Sequence, residues 1–137
     1  MADHIICKTD EIAEGKARQV QIGGREIAVF NLGHRFAAIT NRCPHEGAAL
    51  CHGKIAAFVS ANGPGEYRTE DEKIMVRCPW HGWEFDLETG RSYCDPNRVR
   101  VKTFDVQVKP GETLAEGPYK IEIFEVRTED DYVVLSI

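Results

Sequence analysis

Cys43-Pro44-His45 and Cys78-Pro79-Trp80-His81-Gly82-Trp83 are the stretches on which the reading of this chain turns. Each offers one thiolate and one imidazole on a short proline-containing turn. Folding one against the other collects two sulfurs and two nitrogens at a point, and four such donors imply a metal centre. A zinc finger usually draws its cysteines from one short segment and its histidines from another, because hairpin and helix each supply one kind of ligand. Here both segments are mixed. The pattern C-x-H followed by C-x-x-H suits a 2Fe-2S cluster in which one iron takes both cysteines and the other both histidines. A tetrahedral Cys2His2 zinc site is the chemical alternative.

The chain outside these stretches bounds the answer. At 137 residues it is expected to form one domain over 1–137, large enough to bury about two-thirds of its unfolded surface without disulfide staples. The segment before Val20 carries His4, Asp10, Glu11, Glu14 and Lys16 and has no apolar run of signal-peptide length. The longest apolar run anywhere is Ile55 to Val59, so neither a signal peptide nor a membrane span is expected. Five cysteines, two of them used at the metal, leave Cys7, Cys51 and Cys94. That odd remainder suits a reducing, cytoplasmic compartment better than a disulfide framework. A formal charge of -5 lacks the basic stripe of a nucleic-acid surface, and suits transient docking on a basic patch of a redox partner.

The periodicities are those of β-structure. Ala17–Gly23 and Arg25–Asn31 are Val- and Ile-containing runs that meet at Gly23-Gly24, a hairpin dipeptide, and Arg35–Thr40 follows a turn at Gly33. This meander would deliver Asn41 and Arg42 to the first ligand loop. Lys73–Arg77 leads into Cys78. Beyond it Trp83, Phe85 and Leu87 alternate with Glu84 and Asp86 up to Thr89-Gly90. Thr103–Val108, Tyr119–Arg127 and Tyr132–Ser136 repeat the strand pattern, with turns at Pro110-Gly111, Gly117-Pro118 and Glu129-Asp130-Asp131. No segment keeps a helical period beyond two turns, and the fold class is read as all-β. Between the ligand stretches, Asn62-Gly63-Pro64-Gly65 and the charge run Glu70-Asp71-Glu72 suggest an exposed loop inserted at about 56–72.

In its paired motif the chain resembles the Rieske iron-sulfur family, and Cys78 to Asp86 looks closest to the ferredoxin and oxygenase-type members. The resemblance covers about residues 20–136, with a long interval between the ligand pairs for that family. It implies an antiparallel sandwich or barrel base carrying a small cluster-binding lobe made of loops at about 41–52 and 77–83. It also implies one Rieske 2Fe-2S cluster held by Cys43, His45, Cys78 and His81. Gly47 is expected to let the backbone pass close to the sulfides and offer them amide N–H groups. Trp80, Trp83 and Phe85 are expected to pack around the cluster and exclude water, although Trp83 and Phe85 also read as plain core residues of their strand.

With neutral imidazoles the oxidised centre is formally about zero in charge and the reduced one about -1, which favours reduction relative to four-cysteine ligation. The high-potential respiratory members resemble C-T-H-x-x-C with C-P-C-H-G-S-x-Y. This chain has Ala48 and Trp80 at the positions of their disulfide, and Trp83 and Phe85 at the positions of their hydroxyls. A midpoint potential low in the Rieske range, roughly -150 to 0 mV, is expected.

These readings point to a soluble electron carrier, not itself an enzyme, that takes single electrons from a flavin reductase and passes them to a terminal oxygenase. A nitrite-reductase-like system is a second acceptor class. The chain is too short to add a mononuclear iron domain, and no histidine follows His81 for a two-histidine, one-carboxylate site. A redox or iron sensor, or a zinc-stabilised binding domain, is the non-carrier alternative. Cys51-His52 is a competing ligand pair by composition, but it lacks the C-P turn. Cys7 and Cys94 read as structural thiols, His4 and His34 as solvated side chains.

Overall fold

The computed structural model describes residues 3–33, 35–44, 47–63, 66–80, 82–92, 99–111 and 130–137, with 56–73 described by their backbone. Among the described residues nine strands follow in chain order: β1 Asp3–Lys8, β2 Ala17–Ile22, β3 Arg25–Asn31, β4 Phe36–Thr40, β5 Lys54–Gly63, β6 Glu66–Arg77, β7 Glu84–Asp86, β8 Thr103–Pro110 and β9 Asp131–Ser136. Two single 3₁₀ turns, Thr9–Glu11 and Leu50–His52, interrupt them. The expected strand Tyr119–Arg127 and the turn at Gly117-Pro118 lie outside the described residues.

The strands form an antiparallel six-stranded sheet in the order β1-β9-β8-β4-β3-β2 and a three-stranded sheet in the order β5-β6-β7. The β2–β3 hairpin closes at Gly23-Gly24, where both glycines take positive φ (56° and 81°) and Ile22 pairs with Arg25. That is the two-residue loop whose twist matches the flanking strands, and it needs residues tolerant of φ > 0.

β3 explains why the molecule has two cores. Its residues Ile27, Ala28, Val29 and Phe30 are all fully buried, because both of its faces are covered. Ile27 and Val29 point to one apolar cluster, with Cys7, Ile12, Ala38, Val133 and Leu135. Ala28 and Phe30 point to the other, with Ala37, Ile39, Leu50, Val76, Phe85 and Leu87. β4 splits the same way, Ala38 to the first side and Ala37 and Ile39 to the second. The β3–β4 pair is therefore the wall between a base and a lobe. At the edge of the base, the Ser136 hydroxyl donates to Asp3 (2.7 Å) and Lys109 pairs with the same carboxylate (3.5 Å), tying β1 to β8 and β9.

The segment read as an inserted loop at about 56–72 is instead the body of a hairpin, since β5 pairs with β6 from Lys54↔Arg77 out to Gly63↔Glu66. The register slips between Ala57↔Ile74 and Phe58↔Glu70, leaving Asp71, Glu72 and Lys73 opposite no partner. The charge run sits at this slip, which is how a strand comes to contain it.

Candidate metal centre

Two loops leave the lobe's strands and carry the expected ligands. The first follows β4. The second joins β6 to β7, so that Cys78 comes directly after the last residue of β6 and Glu84 opens β7. Their backbones have the same hydrogen-bond frame. In the first, Cys43 N–H donates to Ala48 O (2.8 Å) and Gly47 N–H donates to Cys43 O (2.7 Å). In the second, Cys78 N–H donates to Trp83 O (2.7 Å) and Gly82 N–H donates to Cys78 O (3.1 Å). In both, a glycine four residues after the cysteine takes positive φ, 85° at Gly47 and 71° at Gly82, a conformation that costs an L-residue about 1–2 kcal/mol.

The two cysteines arrive in one place. Cys43 and Cys78 are both buried, belong to the same apolar cluster as Ala48, Leu50, Val76 and Phe85, and are in no disulfide. His45 and His81 lie outside the described residues, as do His34 and Cys94. Among the described residues no group of three or more His, Cys, Asp or Glu gathers as a metal site.

The donors that are described fit an iron-sulfur group. Two thiols in one otherwise apolar cluster offer soft ligands, which suit iron-sulfur or zinc better than an oxygen-seeking cation. A polar atom is also left over. Asn41 is buried, its Oδ1 accepts Cys51 N–H (2.7 Å), and its Nδ2 has no partner among the described residues. Asn41 was not singled out from sequence as a site residue. The available signal was parity, because it continues the inward series Ala37, Ile39 and Cys43 while being polar.

Two expectations for the surrounding residues need correction, those for Gly47 and Trp80. Gly47 N–H closes its own turn on Cys43 O, so that amide serves the loop frame first. The glycine also has Arg42 beside it, with the guanidinium Nε 3.1 Å from where a Cβ would sit. Trp80 is 60% exposed, so it is not a buried shield. Phe85 is fully buried and Trp83 packs half-buried against the lobe core, as their alternation with Glu84 and Asp86 implies. Cys51 and His52 sit on the 3₁₀ turn and line a separate cavity of about 500 Å³ with Lys16, Lys54 and Phe30, to which neither Cys43 nor Cys78 contributes. Cys7 is buried in the base, and that burial pushes its thiol pKa up.

Known proteins agree with this geometry. The model of the Rieske [2Fe-2S] domain matches residues 3–105. The 3-phenylpropionate/cinnamic acid dioxygenase ferredoxin subunit of Photorhabdus laumondii is 30% identical over 111 residues, covering 81% of this chain and 90% of that one. Among solved structures, the carbazole 1,9a-dioxygenase ferredoxin of Nocardioides aromaticivorans IC177 superposes with a TM-score of 0.62 at 21% identity, covering 97% of each chain. A Mycobacterium tuberculosis protein assigned as an NADH-dependent nitrite reductase small subunit reaches 0.70 at 21% identity, covering 99% of this chain and 96% of that one. Two mirrored cysteine turns meeting in one apolar lobe, over a base of antiparallel strands, make this chain a member of the Rieske [2Fe-2S] family.

Proposed function

We propose that this protein is an electron-transfer component of a multi-component oxygenase system, carrying single electrons on one Rieske 2Fe-2S cluster from a flavin reductase to a terminal oxygenase. The observation that carries the reading is the convergence of Cys43 and Cys78, each on the same backbone frame, in one buried cluster. Cys43 and Cys78 would hold one iron and His45 and His81 the other, and the group so held supplies one-electron chemistry. The ferredoxin subunits of aromatic-acid and carbazole dioxygenases among the relatives support an oxygenase as acceptor.

The chain's own residues account for the rest. Phe85, Leu50 and Val76, all fully buried in the cluster that includes both cysteines, keep that part of the lobe dry. The N–H of each cysteine and that of each loop glycine are tied to carbonyls of the same loop, so the thiolates are held in place before any ligand arrives. The exposed indole of Trp80 on the second loop offers an apolar contact beside the ligands for a partner protein. The single domain is read over 1–137 with the β5–β6 hairpin as its long excursion, and the compartment as cytoplasmic. Among the described residues no helix is long and apolar enough to cross a membrane.

Iron and acid-labile sulfide analysis, followed by a turnover assay with a purified oxygenase and its reductase, tests the proposal. Two irons and two sulfides per chain, with oxygenase turnover that requires the protein, are expected. A loaded cluster that supports no turnover with any oxygenase or nitrite reductase would favour the sensor.

A further inference from the structure

The orphaned amide of Asn41 has a use that the ligand set alone does not reveal. Asn41 N–H donates to Glu26 O (2.9 Å), so the β3–β4 ladder runs one residue beyond β4 and the strand alternation extends to position 41. Ala37 and Ile39 on that parity face the lobe core, and Cys43 follows on it as a member of the same cluster. The side chain of Asn41 is accordingly directed to the cluster of residues that holds both cysteines.

Its orientation is not interchangeable. The partner of Oδ1 is a backbone N–H, that of Cys51 at 2.7 Å, and a donor requires the oxygen there. The NH₂ group is thereby turned the other way. It is fully buried and finds no acceptor among the described residues. A buried donor left without an acceptor is destabilising, and the cluster on this side of β4 is built of apolar residues and the two cysteines.

We propose that Asn41 is a positioning residue for the cluster. Its Oδ1 locks the Leu50–His52 turn onto the first ligand loop, and its Nδ2 donates to a sulfur of the group that Cys43 and Cys78 hold. A donor to sulfur stabilises the reduced form, which carries one more negative charge, more than the oxidised form. Asn41 thus supplies from before the first cysteine some of the stabilisation that Trp83 and Phe85, lacking hydroxyls, do not.

The inference rests on the cluster assignment, and its test keeps the two apart. The holoprotein is prepared with asparagine labelled with ¹⁵N in the side-chain amide, reduced with dithionite, and studied by pulsed electron paramagnetic resonance. Iron and sulfide content shows independently whether the cluster is there. A weak ¹⁵N coupling is expected in the native protein and its loss in Asn41→Asp, which keeps an acceptor for Cys51 N–H but has no amide. Asn41→Leu, without added charge, is expected to disfavour reduction about tenfold, a midpoint about 59 mV lower for one electron. Absence of the coupling from a fully loaded native protein overturns the role of Asn41 and leaves the cluster standing. So does a midpoint in loaded Asn41→Leu within about twofold of native. The labelled native protein decides the matter even where a variant fails to load.

Discussion

The first and second ligand loops share a backbone and differ in what surrounds it. Both close a six-residue turn from the cysteine N–H, both place a positive-φ glycine four residues on, and both bury the cysteine. The first runs into a buried alanine, Ala48, and a 3₁₀ turn pinned by Asn41, while the second exposes Trp80 and runs into β7. The common frame is what holding a thiolate demands. The differing flanks divide the surroundings, with the first loop running into the interior and the second exposing Trp80 to solvent.

The comparison is broken most violently at the cysteines. Cys43→Ala and Cys78→Ala are expected each to abolish the visible spectrum and the iron content, while Cys51→Ala keeps both. Loss of iron in Cys51→Ala, measured by elemental analysis, would put the first loop's ligand in doubt.

The next effect separates loop strain from lobe packing. Gly90→Ala forces a Cβ onto the Val101 carbonyl at φ 77°, so left-handed strain and overpacking combine to about 3 kcal/mol. For a chain of this size that lowers Tm by about 10 °C in a thermal melt. Gly82→Ala, at φ 71° with open space around it, is expected to cost only the strain, about 1–2 kcal/mol. Gly47→Ala is expected to match it with a small addition for moving the flexible Arg42 guanidinium. Costs at Gly47 and Gly82 differing by more than about 2 kcal/mol in denaturant melts would show that the shared frame is only apparent.

Trp80→Ala sharpens the difference between the flanks. Because the indole is 60% exposed, stability is expected to change by under about 0.5 kcal/mol, while the rate of electron delivery to an oxygenase falls. Stopped-flow reduction of the acceptor measures the second quantity.

The smallest effect is a control remote from both loops. The hydrogen bond from the Ser136 hydroxyl, opposed by burial and assisted by Lys109, holds the Asp3 carboxyl below its ordinary value. A lowered folded pKa contributes stability above the unfolded value that is lost as pH falls through the folded one. Asp3→Asn is therefore expected to flatten the acid end of the stability curve below about pH 4 and to leave the cluster's spectrum untouched.

Much of this architecture was legible in the residues themselves. Gly23-Gly24 announced its hairpin, and the alternation of Trp83, Phe85 and Leu87 announced β7, because each signal is local. The burial of Cys43 and Cys78 in one cluster follows the pairing of the two C-P turns read from the residues. The β5–β6 hairpin was read as a loop because Glu70-Asp71-Glu72 looks solvated, and only the pairing register reveals a strand that accommodates it at a slip. Trp80 was expected inside because large aromatics usually are, but its turn faces outward. The place of Asn41 at the start of the first loop is legible, but its bonding is not, because that depends on a backbone ten residues away at Cys51, a contact no spacing rule encodes.

Electron paramagnetic resonance of the dithionite-reduced protein, taken with its midpoint potential, tests the central claim most directly. A rhombic spectrum of a histidine-ligated 2Fe-2S cluster with a midpoint at roughly -150 to 0 mV is the expected result. A silent sample holding one zinc per chain would contradict the cluster itself. A midpoint above about +200 mV would contradict its assignment to the low-potential class.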